Sequence, residues 1–447
     1  MLIQFKLSNF RSFNEEQTLS MVAAGGRDKT HPDNFIAPET VGSAKFRLLK
    51  TAAIYGANAS GKSNLIKALR AMRKFVLESA TRMNEGDPVR CAAPFRLASE
   101  SKTRPSTFEI TVVIAQVRYV YGFSVTSQQV EEEQLVVHPA ATSKGQCWFH
   151  RRFDVSAAKH QWEFSGPLNA FGKVLEERTR QNGLALSRGA EQNIAELRPL
   201  FLWLRDEAVV MDLSVEPIGF VLDIASQILK DPVFKERVER MVNEADLGLD
   251  AVVVEERQKA TKDVLPTFDD SEETKEFSGF LAKMWSIQGE FGTNIRTTHK
   301  GSEPDLREEF NFFSDESKGT QRFFALTGTM LSALDNGGLI VADEFDCSMH
   351  PLLTRKLVEL FNSKEANQRG AQLIFATHDV SLLNPALFRR DQLWIVEKNA
   401  AGASQLFSLH DFRPQPRTIE AFWRGYLAGR YGGIPKFGPM LENLKVR

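Results

Sequence analysis

Long apolar runs and a secretion signal are both missing from this chain of 447 residues. No apolar run approaches the roughly 18 residues that a membrane-spanning helix needs. The first residues, "MLIQFKLSNFRSF", alternate apolar and polar side chains and lack the apolar core of a signal peptide. We therefore expect a cytoplasmic protein that makes no membrane contact.

The chain also has few cysteines and almost no net charge. The three cysteines (Cys91, Cys147 and Cys347) lie far apart and show no C-x-x-C spacing, which favours reduced thiols over a disulfide framework or a zinc site. The formal net charge is -1, so no global positive field attracts nucleic acid. Any DNA contact must come from a local basic patch.

Apolar patterns divide the chain into three stretches. The first part holds three strand-like runs, "TFEITVVIA", "VRYVYGFSV" and "EEEQLVV", which predict an antiparallel sheet. The middle turns helical, most clearly in "LFLWLRDEAVVM" and "FVLDIASQILKDPVFKERVERMV". The last part returns to short apolar runs that end in polar residues, as buried parallel strands do. The order predicts an α/β protein with a helical insertion.

The chain does contain a phosphate-binding loop motif, which lies near the start of the sequence. Gly56, Gly61, Lys62 and Ser63 satisfy the pattern G-x-x-x-x-G-K-[ST] between a predicted strand and a predicted helix. Backbone N–H groups of such a loop surround phosphate, the lysine reaches the outer phosphates and the hydroxyl ligates Mg²⁺. A chance match in a Gly/Ser-rich turn is the alternative, and the strand–loop–helix context disfavours it.

Two carboxylates follow the apolar residues of "LIVADE". An aspartate at a strand tip, Asp343, can hold Mg²⁺, and the adjacent Glu344 can orient and deprotonate an attacking water. Alone, such a string usually marks a strand end. Together with the phosphate loop it favours hydrolysis of a nucleotide.

A histidine and a helix start complete the set. His378 follows the buried run "LIFAT", where an imidazole can hydrogen-bond a terminal phosphate; a satisfied loop histidine is the alternative. Ser317 and Gly319 begin an amphipathic helix and together could form a second phosphate-binding surface. Judged alone, they are a helix N-cap with a glycine.

The order of these elements resembles that of ATP-binding-cassette (ABC) ATPases. Within them the chain resembles the soluble branch of SMC heads, RecF and overcoming-lysogenisation-defect proteins, and is most similar to abortive-infection ATPases of the AbiLi/RloA type. The strings that carry the resemblance are "LSNFRSF", "YGANASGKSN", "PFRL", "ESKGT", "ADEFDCSMHP", "FATHD", "RRDQLWIVEKN" and "GRYGGIP".

The resemblance implies a role for each matched residue. Positions 56–63 are Walker A, Asp343 and Glu344 are Walker B, and 346–350 are the D-loop. The implied ATP contacts are Gly56, Asn58, Gly61, Lys62, Ser63, Asn64, Ser317, Gly319 and Asp346, with Mg²⁺ held by Ser63 and Asp343 and catalysis by Glu344 and His378. Two departures remain: the signature reads E-S-K-G-T rather than L-S-G-G-Q, and no Q-loop glutamine can be placed.

The same resemblance implies architecture and partners. It predicts an ABC-type head with mixed and antiparallel sheets around the phosphate loop: an N-lobe at 1–165, a mainly helical insertion at 166–300 and a C-lobe at 301–447. It implies an ATPase whose heads form a homodimer or higher homo-oligomer around ATP. In antiphage defence the switch would control a co-encoded effector, either a toxin or a Toprim-like nuclease.

Other functions stay open at this stage. A RecF-type ATPase of DNA repair or maintenance would contact DNA through the C-terminal basic residues Arg413, Arg417, Arg424, Arg430 and Lys436; a solvated helix face is the plainer interpretation. A transporter subunit is disfavoured because the middle offers no membrane-coupling surface. GTP is disfavoured because no N-K-x-D string is present to read guanine.

Overall fold

The computed structural model describes residues 1–25, 30–36, 46–139, 144–215, 217–256, 293–303, 306–413 and 422–435. The chain forms two compact units. Unit 1 comprises Met1–Asp212, Ala333–Asp346 and Thr354–Arg447, and unit 2 comprises Leu213–Ser332 and Cys347–Leu353. The predicted boundaries between N-lobe, insertion and C-lobe, after residues 165 and 300, stay a prediction.

A seven-stranded antiparallel sheet forms one layer of unit 1. Its strand order is β10-β9-β8-β7-β6-β1-β2. The strands are β1 (Leu2–Ser8), β2 (Gln17–Ser20), β6 (Ser106–Ile114), β7 (Val117–Val125), β8 (Val130–His138), β9 (Gln146–Asp154) and β10 (Lys159–Phe164). The three strand-like runs of the first part are confirmed as β6, β7 and β8.

A six-stranded sheet forms the second layer, in the order β11-β15-β16-β5-β17-β18. Its pairs are parallel except for the antiparallel pair β17–β18. The strands are β5 (Thr51–Tyr55), β11 (Ala208–Asp212), β15 (Leu339–Asp343), β16 (Gln372–Ala376), β17 (Leu393–Lys398) and β18 (Ser404–Ser408). A short pair, β3 (Phe35–Ile36) and β4 (Leu48–Leu49), accompanies them. The α/β class with mixed and antiparallel sheets is confirmed.

The helix α1 (Lys62–Glu78) packs in the hydrophobic core of unit 1. Its buried residues join one hydrophobic cluster with strands of both sheets, and the ring centroid of Phe75 lies 5.5 Å from that of Phe123 on β7. Apolar positions three and four apart place these side chains together, as the sequence pattern predicts. The other helices of unit 1 are short: α2 (Gly172–Arg178), α3 (Ala185–Glu191), α4 (Arg198–Leu202) and α9 (Phe422–Leu427).

Unit 2 combines helices with a three-stranded antiparallel sheet. The helices α5 (Ile218–Lys230) and α6 (Pro232–Glu244) lie within it, and α7 (Lys318–Asn336) and α8 (Pro351–Asn362) begin in it. The sheet has the order β12-β13-β14, from β12 (Ala251–Glu256), β13 (Thr293–Lys300) and β14 (Arg307–Asn311). Across the described ranges, no helix is long and apolar enough to cross a membrane.

One helical prediction is wrong at its end. The run "LFLWLRDEAVVM" is helical only as far as a π-helical turn at Trp203–Glu207, and Ala208–Asp212 is the edge strand β11. A short apolar run with β-branched residues fits a strand as well as a helix, and pairing with β15 decides between them. This matters because β11 ends beside Asp343.

Candidate nucleotide-binding site

The phosphate loop joins β5 to α1 at the carboxyl edge of the parallel strands. Gly61 adopts φ +122°, and a Cβ there would clash with the Ser404 hydroxyl, so the position requires glycine. No side chain caps the start of α1 in the described structure. The first N–H groups of a helix lack intrahelical partners, so this start presents donors that suit phosphate oxygens.

Lys62 lies across the loop. Its ammonium donates to the carbonyls of Gly56 (2.9 Å) and Ala57 (3.3 Å). Burial lowers the pKa of Lys62, and three carboxylates oppose this shift: those of Glu344, Asp343 and Asp346. The predicted Walker A lysine and Walker B carboxylates therefore share one electrostatic environment within unit 1.

Asp343 occupies the tip of β15 and is 4% exposed. Burial raises the pKa of its carboxyl, whereas a hydrogen bond with the Ser63 side chain lowers it. The two side chains that the sequence assigns to Mg²⁺ are thus in direct contact. Mg²⁺ prefers oxygen ligands and typically takes one or two carboxylates with several waters, so this pair fits the ion.

A further carboxylate stands next to Asp343. In the parallel pair β11–β15, Asp212 is the register partner of Asp343, and its charge also raises the Asp343 pKa. Asp212 lies 3.8 Å from the Arg70 guanidinium of α1. Asp212 is absent from the predicted site because the sequence pattern of β11 is compatible with a helix. The available signal is an apolar run that ends in aspartate, as at Asp343.

Glu344 and His378 follow neighbouring strands of the same sheet. Glu344 has φ +55°, which is uncommon for a non-glycine residue, and directs the chain away from β15. The His378 backbone N–H donates to the Asp346 carboxylate at 3.3 and 3.4 Å. Partial burial and then the Lys62 charge lower the pKa of His378, against the Glu344 carboxylate, so its imidazole is neutral at pH 7.

Hydrogen bonds from serine hydroxyl groups stabilise the phosphate loop. The Ser404 hydroxyl on β18 donates to the Ser60 carbonyl and lies 2.8 Å from the Ser12 hydroxyl. Asn64 also donates to Ser12, at 2.9 Å. Its predicted ATP contact stays a prediction, because its amide supports the loop here. Asn58 is exposed at the loop tip.

The string "GRYGGIP" also packs on the phosphate loop. The Tyr426 hydroxyl accepts from the Gly56 N–H and donates to the Gly433 carbonyl at 2.9 Å. The rings of Tyr426 and Tyr55 meet edge to face at 5.8 Å. Tyr426 is not among the predicted site residues. The local sequence around Tyr426 contains no pattern that predicts its contact with the phosphate loop.

Ser317 and Gly319 belong to unit 2. The Ser317 hydroxyl accepts from the Thr320 N–H at 3.1 Å. The serine is therefore the N-cap of α7, which is the alternative to a phosphate-binding role. The Ser317 and Thr320 hydroxyl oxygens also lie 3.0 Å apart and share a hydrogen bond. The nucleotide contact of both residues stays a prediction.

A protein-family model described as "AAA domain, putative AbiEii toxin, Type IV TA system" matches residues 52–147 and 226–384, together more than half of the chain. The chain belongs to this AAA family. The match confirms the predicted relation to abortive-infection (Abi-type) AAA ATPases. The matched ranges also include the residues predicted to form Walker A and Walker B, and His378.

Solved structures add three similar chains. The SMC head domain from Thermotoga maritima is 14% identical to this AAA-family chain, with coverage of 91% and 98% of the two chains and a TM-score of 0.37. RecF with ATPrS is 14% identical, at 91% and 98% coverage and a TM-score of 0.32. RecF with ATP is 14% identical, at 84% and 93% coverage and a TM-score of 0.31. A search of curated proteins returned no match.

Proposed function

We propose that the protein is an ATP-hydrolysing molecular switch that controls a separately encoded effector in antiphage defence. One observation carries the ATPase part of the proposal. Lys62, the Ser63–Asp343 pair, Glu344 and His378 interact electrostatically at one edge of the six-stranded sheet. Membership of the AAA family supports the same assignment.

Each residue has a chemical role in this proposal. The N–H groups at the start of α1 and the Lys62 ammonium bind the outer phosphates of ATP. Ser63 and Asp343 would hold Mg²⁺, which would neutralise charge on the phosphates. Glu344 accepts a proton from the attacking water, and the neutral His378 orients that water or donates to the terminal phosphate.

Closure requires a second copy of the chain. Ser317 and Gly319, at the start of α7, contact the terminal phosphate of the ATP bound to the partner, so two heads enclose two nucleotides in an isologous dimer. The triphosphate stabilises the closed dimer because only it reaches both surfaces. Hydrolysis removes that contact and reopens the heads.

The family description, which names a type IV toxin–antitoxin system, supports a role in abortive infection. In this proposal the heads hold or release a toxin-like or nuclease-like partner according to nucleotide state. Co-purification from the native host tests it: recovery of a co-encoded Toprim-like or toxin-like protein is expected. Recovery of replication proteins instead would count against the defence role.

A DNA-maintenance ATPase is the second candidate. Exposed Arg424 lies over the ring of exposed Trp423 at 5.2 Å, a pairing that suits nucleic acid backbones and bases. Arg417 and Lys436 of the proposed patch lie outside the described residues. ATPase assays with and without DNA over a salt series separate the two: stimulation that falls steeply with salt favours direct DNA action.

Phosphate release tests the ATPase itself. We expect Mg²⁺-dependent hydrolysis by the wild-type protein, no nucleotide binding by Lys62→Ala, and ATP binding without turnover by Glu344→Gln. Glu365→Gln, which alters an exposed carboxylate on another loop, is the matched control. Turnover by Glu344→Gln at the wild-type rate would contradict the assigned base.

A further inference from the structure

The turn before α7 is held by several polar contacts. Asn311 accepts through its side chain from the N–H groups of Phe313 (3.0 Å) and Ser314 (3.2 Å). The buried Gln321 amide donates to three carbonyls of the turn: those of Phe312, Phe313 and Glu316. The exposed Ser317 therefore begins α7 from a fixed turn.

Glu316 connects this turn to the sheet of unit 2. Its carboxylate accepts from the Thr297 hydroxyl at 2.5 Å and from His299 Nε2 at 2.6 Å, both on β13. The Glu316 side chain is only 7% exposed, and Thr297 is fully buried. A buried carboxylate that loses its donors is strongly destabilised, so this geometry has few alternatives.

Contacts with two other segments of unit 2 also hold the N-terminal part of α7. Arg322 donates to the Ser348 hydroxyl at 2.5 Å and to the Ser214 carbonyl at 3.2 Å. A Cβ at Gly319 would lie 2.5 Å from the Ser348 carbonyl oxygen, so the helix start and the D-loop are in close contact. Glu316 fixes the same helix start to β13.

We propose that Glu316 is a positioning residue: its carboxylate links the start of α7, and with it Ser317, to β13. The sheet β12–β13–β14 then determines where Ser317 meets the partner's ATP. The inference rests on the proposed ATP-dependent dimer. It gives a reason for the signature E-S-K-G-T, because a leucine in place of Glu316 could not bind Thr297 or His299. Whatever displaces β13 then displaces the signature serine.

Three variants test this role: Thr297→Val, which keeps the side-chain shape, Glu316→Ala, and Glu316→Gln, whose amide oxygen can still accept. We expect Thr297→Val and Glu316→Ala to lower kcat about tenfold to a hundredfold through misplacement of Ser317. ATP affinity of the separate chain should stay at the wild-type value, since the phosphate loop is in unit 1. Glu316→Gln should recover most of the lost rate.

Glu309→Ala is the matched control. Glu309 is an exposed carboxylate on β14, and its ion-pair partner at 2.8 Å is Arg296 on the same sheet rather than a residue of the turn before α7. The variant should hydrolyse ATP at the wild-type rate and dimerise normally in the Glu344→Gln background. Glu316→Ala in that background should dimerise only at higher protein concentration.

Two results would overturn the inference alone while the wild-type protein hydrolyses ATP. One is wild-type kcat and dimerisation in both Thr297→Val and Glu316→Ala. The other is loss of ATP affinity in parallel with kcat, with no recovery of kcat in Glu316→Gln, which would indicate a purely structural residue. A wild-type protein that neither hydrolyses ATP nor associates would overturn the proposed function together with this inference.

Discussion

The hydroxyl of Ser404 supports the phosphate loop directly, although the residue lies far from the loop in the sequence. Ser404 is 1% exposed and donates to the carbonyl of Ser60, 344 positions earlier in the chain. A phosphate loop binds through N–H groups held in fixed directions, so we expect this hydrogen bond to contribute to ATP affinity. The same bond contributes to the stability of the fold.

The variant Ser404→Ala should weaken ATP binding about three- to tenfold, because a net hydrogen bond of about 0.5–1.5 kcal/mol is lost beneath the loop. Titration calorimetry measures the change. Ser408→Ala is the control on the same strand: its hydroxyl accepts from the His410 N–H at 3.2 Å, away from the loop. It should lower stability without lowering ATP affinity. Equal affinities for Ser404→Ala and wild type would contradict the support role.

Asp343 illustrates a conflict between stability and function. Burial raises its pKa, which means that the charged form is disfavoured in the folded protein. Asp343→Asn should therefore raise the free energy of unfolding near neutral pH. The gain should vanish as the pH falls below the unfolded pKa, because Asp343 is then protonated in both states. ATP hydrolysis should be lost throughout.

Chemical denaturation with and without the substitution measures this gain. Asp391→Asn is a control of opposite sign, since Asp391 is paired at 3.0 Å with the buried Arg389 guanidinium. Removal of that carboxylate leaves a buried charge without its partner and should destabilise the fold. A loss of stability in Asp343→Asn would contradict the electrostatic account of the site.

At the scale of single elements, β10 carries a pH-sensitive contact. His160 is 9% exposed, and its Nε2 lies 2.7 Å from the Val130 carbonyl of β8. Burial and then the Arg151 charge lower the pKa of His160 to about 4. The unfolded chain therefore binds a proton at higher pH than the folded protein does. The stability from neutral His160 is present above its unfolded pKa and lost as the pH falls toward the folded value.

Wild-type protein should lose about 2 kcal/mol of stability from this residue between about pH 8 and about pH 5. His160→Gln, which cannot titrate, should lose correspondingly less over the same range. Urea unfolding at both pH values measures the difference. Identical pH dependence in the two proteins would contradict the assigned pKa direction.

The elements differ in how well the sequence predicts them. The phosphate loop, α1 and the strands β6–β8 follow from local patterns, since glycine positions and apolar periodicity determine them. β11 does not, because five apolar-rich residues fit either a helix or a strand until they pair. Asp212 and Ser404 reach the site through strand register and sheet order, which local patterns do not encode. Ser63, Asp343, Glu344 and His378 are predictable from their places at strand and helix ends.

At the scale of the whole molecule, the proposal depends on two surfaces in different units. The phosphate loop and the carboxylates of the proposed catalytic site belong to unit 1, and Ser317 and Gly319 belong to unit 2. A switch arises when one nucleotide contacts the first surface of one chain and the second surface of its twin. A twofold arrangement makes both sites complete at once.

Light scattering of Glu344→Gln measures this directly. With ATP and Mg²⁺ we expect a mass of two chains, and with ADP or without nucleotide the mass of one. Lys62→Ala in the same background should remain at the mass of one chain in every condition. A mass that does not change with nucleotide would contradict the claim that ATP closes the dimer.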